Sequence, residues 1–210
     1  MSEDYHYTSA RHAWHDCFMK ADRTPGDGKL MDPTVASLNW FTQRAARTIT
    51  AKATQPRGNG RLVNIEESFE LAKVKAAIDR MPALLRAWGM FAYAQPTREQ
   101  YELVAQTVYK WWYERNGHEF MGNYRKTLRH IILVHDCMED MAHRFCTGRA
   151  KYLPVELSFH LGTNKAHWAR DWADRYAAMQ DYVDGIDRRA LGPVARVLAE
   201  CEQNAEAEGA

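Results

Sequence analysis

Prolines and glycines divide this chain into long segments, and within most segments apolar residues recur every three or four positions. That spacing puts the apolar side chains on one face of an α-helix, whereas a half-buried strand would alternate apolar and polar residues. The sequence shows no convincing alternation and no internal repeat. It therefore predicts an all-α fold, with a bundle-like helical body followed by a C-terminal helix-turn-helix.

Charge and composition exclude several classes of protein. The 210 residues include 28 Lys and Arg against 27 Asp and Glu, so indiscriminate binding to polyanions is excluded but a local basic patch is not. No apolar run approaches the roughly 20 residues of a membrane span, and the first residues lack a signal peptide. We therefore expect a cytoplasmic protein with no membrane partner. The four cysteines form no CxxC pair, which predicts reduced thiols.

The chain divides into four predicted regions. Residues 1–31 are expected to form a flexible polar arm, and 32–148 the helical body. Residues 149–200 form the helix-turn-helix region, and 201–210 a disordered tail. Capping residues and breakers predict the helix boundaries. In the body, the first predicted helix runs from Asp32 to Ile49 and is followed by a loop at 55–60. Capping boxes at Asn64/Glu67 and Thr97/Gln100 predict the start of two further helices. Pro82 is expected to restart the helix that contains it, and Asn116-Gly117 to end the helix that begins at Thr97.

The longest periodic segment runs from Tyr124 to Phe145 and predicts an amphipathic helix that ends at Thr147-Gly148. Its apolar face is expected to consist of Tyr124, Leu128, Ile131, His135, Met138, Ala142 and Phe145. In the region that follows, the pattern predicts a short helix near Val155 to Leu161, a longer one from Asn164 to Asp184, and a last helix that starts at Pro193.

Residues 153–176 fit a helix-turn-helix. Such a motif needs a first helix with apolar residues against the second, a tight turn that usually carries glycine, and a second helix whose outer face reaches DNA bases. Gly162 supplies the turn and Thr163 or Asn164 the cap. The buried positions are predicted to be Leu157, Leu161, Trp168 and Trp172.

The outward side chains of this motif suit DNA. Asn and Arg can bond adenine and guanine edges through two hydrogen bonds each, and other basic residues suit phosphates. The candidate DNA-binding residues are Arg149, Lys151, Thr163, Asn164, Lys165, His167, Arg170 and Arg175. From Arg144 to Arg175 six basic residues face three acidic ones, a local excess of 6 − 3 = +3. Two helices around a glycine also occur in many helical proteins that bind no DNA.

A metal site is the competing interpretation. His135, Glu139 and His143 follow each other at intervals of four residues on one helical line, with Cys137 and Cys146 nearby. His and Cys are suitable zinc ligands. However, His135 also fits a core position, and neither an HExxH motif nor paired CxxC motifs are present. The sequence favours no metal and no cofactor. It also contains no GxSxG, P-loop or GxGxxG motif, so we expect no enzyme.

Three blocks of the sequence resemble the Q family, the late-gene antitermination proteins of lambda-like bacteriophages. They are residues 32–52, the segment LLRAWGMFAYA at 84–94, and residues 151–200, which match the C-terminal Leu/Met-Pro, helix, Trp, helix region of the family. One difference concerns residues 96–148, where the lambda-type member has a cysteine-rich zinc-binding insert. This chain has a helical pattern there with only Cys137 and Cys146.

The resemblance implies a function. Proteins of this family bind a DNA element at the phage late promoter and load onto host RNA polymerase while it is paused near the start with its sigma factor. They then suppress pausing and termination. The residues that match the DNA-reading part are Asn164, Lys165, His167 and Arg170. The alternatives are a helix-turn-helix repressor, a phage packaging protein, and a small metal-dependent enzyme that would use His135, Glu139 and His143.

Overall fold

The structure, a computed structural model, describes residues 3–19, 65–117 and 123–208. These residues form helices joined by short turns with no strand among them, which confirms the all-α prediction. In chain order the helices are α1 (Glu3–Met19), α2 (Ile65–Asp79), α3 (Ala83–Tyr93), α4 (Arg98–Asn116), α5 (Tyr124–Thr147), α6 (Pro154–His160), α7 (Lys165–His167) and α8 (Ala173–Glu208). A π-helical turn at Trp168–Trp172 joins α7 to α8. The helix predicted from Asp32 to Ile49, the loop at 55–60 and Asn64 lie outside the described residues.

Several predicted helix boundaries have the expected cap geometry. At the start of α4 the Thr97 hydroxyl accepts from the backbone N–H of Gln100 at 3.2 Å, and the Gln100 side chain accepts from the Thr97 N–H at 2.8 Å. The first donors of the helix are thereby satisfied, as in a capping box. Gly148 closes α5 with a φ of 72°, which glycine adopts at little cost. Pro82 separates α2 from α3 as predicted.

Helix α8 is the central element of the described bundle. It packs against α1, α2, α3, α4 and α5, and its inner face supplies Met179, Ile186 and Leu191 to the core. Five buried tryptophans from other segments fill much of the remaining core space. They are Trp14 of α1, Trp88 of α3, Trp112 of α4, and Trp168 and Trp172 of the π-helical turn. Because all of these residues belong to one hydrophobic cluster, the helix-turn-helix region shares its core with the body.

A buried carboxylate connects three of these helices. Asp187 of α8 has no exposed surface. It accepts hydrogen bonds from the Trp88 indole at 2.8 Å, the Tyr93 hydroxyl at 2.5 Å and the Arg11 guanidinium at 3.1 Å. Burial raises the pKa of Asp187, although its three donors counteract that effect. The carboxylate therefore fixes the positions of α1 and α3 relative to α8.

Helices α1 and α3 also approach closely at Gly89. A Cβ atom at this position would lie 2.0 Å from Cζ2 of Trp14, far inside van der Waals contact. The Trp14 ring is completely buried, so it has no free space into which it could shift. Glycine is required here by the packing of the ring and not by backbone conformation.

The structure corrects three predictions about the ends of the chain. The region predicted as a flexible arm contains α1, whose Ala10 and Trp14 are buried in the core. The last helix does not begin at Pro193, because α8 continues through this residue. The expected disordered tail is helical as far as Glu208. Proline weakens a helix interior, but Leu191 and Val194 on either side are fully buried, and this packing outweighs the lost hydrogen bond.

The predicted apolar face of α5 is also wrong in its first half. Tyr124 is 79% exposed, Leu128 42% and Ile131 37%. The buried apolar residues of α5 are Leu133, Val134, Cys137, Met138 and Met141, and of these Met138 was on the predicted face. Both sets have helical spacing, so periodicity alone could not choose between them. The choice is made by the position of α5 against α4 and α8.

We expect Asp187→Ala to lower the free energy of unfolding by about 3–5 kcal/mol, because it leaves a partly buried guanidinium, a buried indole and a buried hydroxyl without their acceptor. Asp187→Asn keeps an acceptor oxygen and should cost less. Asp184→Ala is the matched control, since Asp184 pairs with Arg188 on the exposed side of the same helix, and such pairs contribute about 0–1 kcal/mol. Urea unfolding followed by circular dichroism measures all three. Equal losses for Asp187→Ala and Asp184→Ala would contradict the prediction.

Candidate nucleic-acid interface

Residues 154–167 form two helices around a tight turn. The Gly162 N–H donates to the Phe159 carbonyl at 2.9 Å, and the Thr163 N–H donates to the Ser158 carbonyl at 2.8 Å. This pair of bonds is a Schellman motif, which places the residue after the helix end in the left-handed region. Gly162 has a φ of 60° and occupies that position. The turn predicted at Gly162 is therefore present, while its use in DNA binding stays a prediction.

The second helix starts at an asparagine cap and widens after its first turn. The Asn164 side-chain oxygen accepts from the His167 N–H at 2.9 Å. In the π-helical turn that follows, the Ala173 N–H reaches the Trp168 carbonyl five residues back. The predicted inner positions of the motif are confirmed, since Leu157, Leu161, Trp168 and Trp172 are all buried. Single π-helical turns within helices are frequent at functional sites.

The predicted outward residues of the second helix do face solvent. Lys165, His167 and Arg170 are all exposed. Arg170 bonds Asp171 through Nε at 2.7 Å and Nη2 at 2.8 Å. This pairing raises the pKa of Arg170 and lowers the pKa of Asp171. Arg170 must therefore leave a neighbouring carboxylate before it can bond a base.

The other candidates already have structural roles. The Thr163 hydroxyl donates to the Ser158 carbonyl at 3.2 Å, and Lys151 forms an ion pair with Glu139. The Arg175 guanidinium lies 5.9 Å from the centre of the Trp172 ring. Arg149 is exposed. The local excess of positive charge counted from the sequence is therefore partly neutralised by carboxylates in the folded chain.

Carboxylates on α5 attach the two-helix unit to the body. Asp140 is almost completely buried and accepts from the backbone N–H groups of Lys151 at 2.5 Å and Tyr152 at 3.3 Å. One turn earlier in α5, Asp136 bonds Nδ1 of His160 at 3.1 Å. Buried side-chain acceptors of this kind fix the backbone that they bond. The orientation of α6 relative to α5 follows from these contacts.

Glu139 reinforces this attachment. It accepts from the Tyr152 hydroxyl at 2.6 Å and pairs with the Lys151 ammonium. Partial burial disfavours the charged carboxylate, but the Lys151 and Tyr152 donors together outweigh it, so the pKa of Glu139 is lowered. The ionised form of Glu139 is consequently stabilised by folding.

A further basic side chain contacts the turn from α5, and the sequence interpretation missed it. Arg129 donates from Nη2 to the Gly162 carbonyl at 3.2 Å. Arg129 belongs to a stretch from Asn123 to His135 that contains three basic residues and no acidic one. This local charge bias is the signal that the sequence offers for such a contact. Apolar spacing does not reveal it, because that spacing concerns only the residues that pack inward.

The candidate metal ligands have other partners. His135 Nδ1 lies 2.5 Å from the Tyr101 hydroxyl, and His143 Nδ1 lies 3.0 Å from the Arg149 carbonyl. Cys137 is buried in the core, where burial raises the pKa of its thiol, and the Cys146 thiol donates to the Ala92 carbonyl at 3.3 Å. Across residues 3–19, 65–117 and 123–208 the structure has no group of three or more His, Cys, Asp or Glu side chains arranged to hold a metal ion.

The comparisons with known proteins identify the class of the chain. The family model described as Phage antitermination protein Q matches residues 18–208, which is most of the sequence. The chain therefore belongs to the phage antitermination protein Q family, which comprises transcription regulators and is not a known enzyme family. Membership implies interaction with RNA polymerase and DNA. Searches of curated proteins and of solved structures found no match. None of the described helices is long and apolar enough to cross a membrane.

The lowered pKa of Glu139 predicts an acid-dependent loss of stability. A depressed carboxyl pKa contributes stability above its unfolded value, here about 4.5, and this contribution disappears as the pH falls through the folded value. We therefore expect wild type to be more stable than Glu139→Gln near neutral pH, with a difference that shrinks below pH 4.5. Urea midpoints at several pH values measure it. Glu114→Gln removes a carboxylate from an exposed pair with Lys110 and is the control for the loss of a surface charge.

Proposed function

We propose that this chain is an antitermination factor that binds DNA at a phage late promoter through the unit formed by α6, the Gly162 turn, α7 and the π-helical turn that follows α7. It then loads onto host RNA polymerase that is paused near the start with its sigma factor. It remains attached, suppresses pausing and lets transcription pass terminators. The chain acts by binding and has no catalytic residues of its own in this proposal.

The observation that supports the proposal is the coincidence of the family match with two helices around a tight turn, the second of which exposes basic side chains. The match covers the whole two-helix unit. The second helix exposes Lys165, His167 and Arg170 while its two tryptophans are buried. A helix held in this way can enter a major groove without rearrangement of the core.

Transcription with purified components tests this function. The template carries the late promoter of the phage that encodes the chain, followed by a strong terminator, and is transcribed by host polymerase with its sigma factor. We expect readthrough to rise with added protein and to disappear when the DNA element near the promoter is scrambled. The matched control is Arg98→Ala, which removes an exposed arginine on α4, and it should retain readthrough.

Two results would contradict the proposal. Termination that is unchanged while initiation falls would indicate a repressor that uses the same helix-turn-helix. Readthrough that survives scrambling of the promoter element would remove the role of specific DNA binding. A packaging protein would affect neither initiation nor termination.

We expect Arg170→Ala to weaken binding to the promoter element roughly tenfold to a hundredfold, because the variant lacks the guanidinium that would form two hydrogen bonds with a base edge. Asp171→Asn should strengthen binding, since it removes the carboxylate that competes for Arg170 and repels phosphates. Both are measured by fluorescence anisotropy against the promoter element and a mixed-sequence duplex. If neither variant changes the ratio of the two affinities, Arg170 does not read a base.

A further inference from the structure

The side chains on one line of α5 meet the two-helix unit in order. Asp140 bonds the backbone at Lys151 and Tyr152, Asp136 bonds His160, and Arg129 bonds the Gly162 carbonyl. The contacts therefore run in opposite directions along the chain: residues nearer the start of α5 contact residues that lie later in the two-helix unit. The line consists of Arg125, Arg129, Ile132, Asp136 and Asp140, which follow each other at intervals of three or four residues.

Arg125 is the next position on this line. It lies one helical turn beyond Arg129, about 6 Å further along the α5 axis. If the order of contacts continues, Arg125 lies beyond Gly162, next to the start of the second helix at Lys165. Arg125 is exposed, and Lys126 next to it in the sequence is also exposed.

The charge of this part of α5 exceeds that of the second helix. From Lys165 to Arg175 the chain has three basic and two acidic residues, a sum of 3 − 2 = +1, and Arg170 is paired with Asp171. From Asn123 to His135 it has three basic residues and no acidic residue, a sum of +3. The carboxylates of α5 are confined to its second half, where they face the loop at 151–152 and His160. Of these two stretches, the one in α5 therefore carries the larger net positive charge.

We propose that Arg125 and Lys126 form a second DNA contact, to backbone phosphates that flank the groove entered by the second helix, with Arg129 holding the turn that connects the two surfaces. This inference rests on the proposed DNA binding and adds a binding surface outside the helix-turn-helix. Phosphate is the favoured ligand because Arg125 and Lys126 expose a guanidinium and an ammonium group next to each other, and a polyanion is attracted to such a pair of cations. Contacts of this kind set affinity and orientation but carry no sequence information.

The test measures salt dependence with the full-length chain. Binding to a mixed-sequence DNA duplex is followed by fluorescence anisotropy over a range of salt concentrations for wild type, Arg125→Ala and Arg125→Ala/Lys126→Ala. We expect the slope of log K against log salt to become shallower by about 0.9 for each phosphate contact removed. The preference for the promoter element over the mixed-sequence duplex should be unchanged, in contrast to Arg170→Ala. The control Arg98→Ala removes the same charge from an exposed site at the start of α4 and should keep the wild-type slope.

Each of the other outcomes overturns the inference, and each has a different cause that the measurements distinguish. A wild-type slope for the Arg125→Ala/Lys126→Ala variant, with DNA binding intact, would remove α5 from the interface and leave the proposed function standing. An equal change for Arg98→Ala would indicate a general charge effect. Unchanged DNA binding with weakened polymerase binding would assign the basic surface to a protein partner. Wild type that shows no salt-dependent DNA binding would overturn the proposed function together with the inference.

Discussion

The buried carboxylate of Asp187 is the contact on which the arrangement of the bundle depends. Apolar packing stabilises the core but does not by itself select one alignment of helices, because hydrophobic contacts have little directionality. Asp187 adds direction, since its oxygens accept from donors on α1 and α3. A buried carboxylate left unpaired would be costly, so alternative packings that separate these groups are disfavoured. The close approach of Trp14 to Gly89 acts in the same direction, because it admits only one distance between these two helices.

Helix α5 links this core to the candidate interface. Its core face includes Leu133 and Met138, and its carboxylates Asp136 and Asp140 bond the two-helix unit. The unit is therefore an extension of the bundle, and its exposed helix is supported by buried residues behind it. A binding surface built on a rigid element loses little conformational entropy when it binds. This explains why the outer helix can be short, with α7 itself only three residues before the π-helical turn.

The sequence was sufficient to predict features that depend on neighbouring residues, such as helix caps. It was insufficient to predict features that depend on packing between distant segments. Capping boxes and glycine stops are satisfied by neighbours within a few residues, so Thr97, Gly148 and Gly162 were predicted correctly. The inner face of α5 and the continuity of α8 through Pro193 depend on which helices pack against them, and periodicity does not contain that information. For the candidate interface, the sequence indicated which residues of the second helix face outward. It could not show that Arg170 pairs with Asp171 or that Lys151 is engaged by Glu139, which lies twelve residues earlier.

These ion pairs bear on how the proposed function would work. Three of the basic residues counted from Arg144 to Arg175 are paired with carboxylates, namely Arg144, Lys151 and Arg170. In the proposed function few phosphates can then be neutralised by residues 144–175 alone, so we expect this stretch to have a modest affinity for DNA. In the proposed function the chain meets DNA and polymerase together at a promoter. Binding to one partner raises the effective concentration of the other, so two modest affinities combine into a stable complex. Weak DNA contacts are also compatible with release from the promoter once polymerase moves, because the attachment to the enzyme then holds the chain in place.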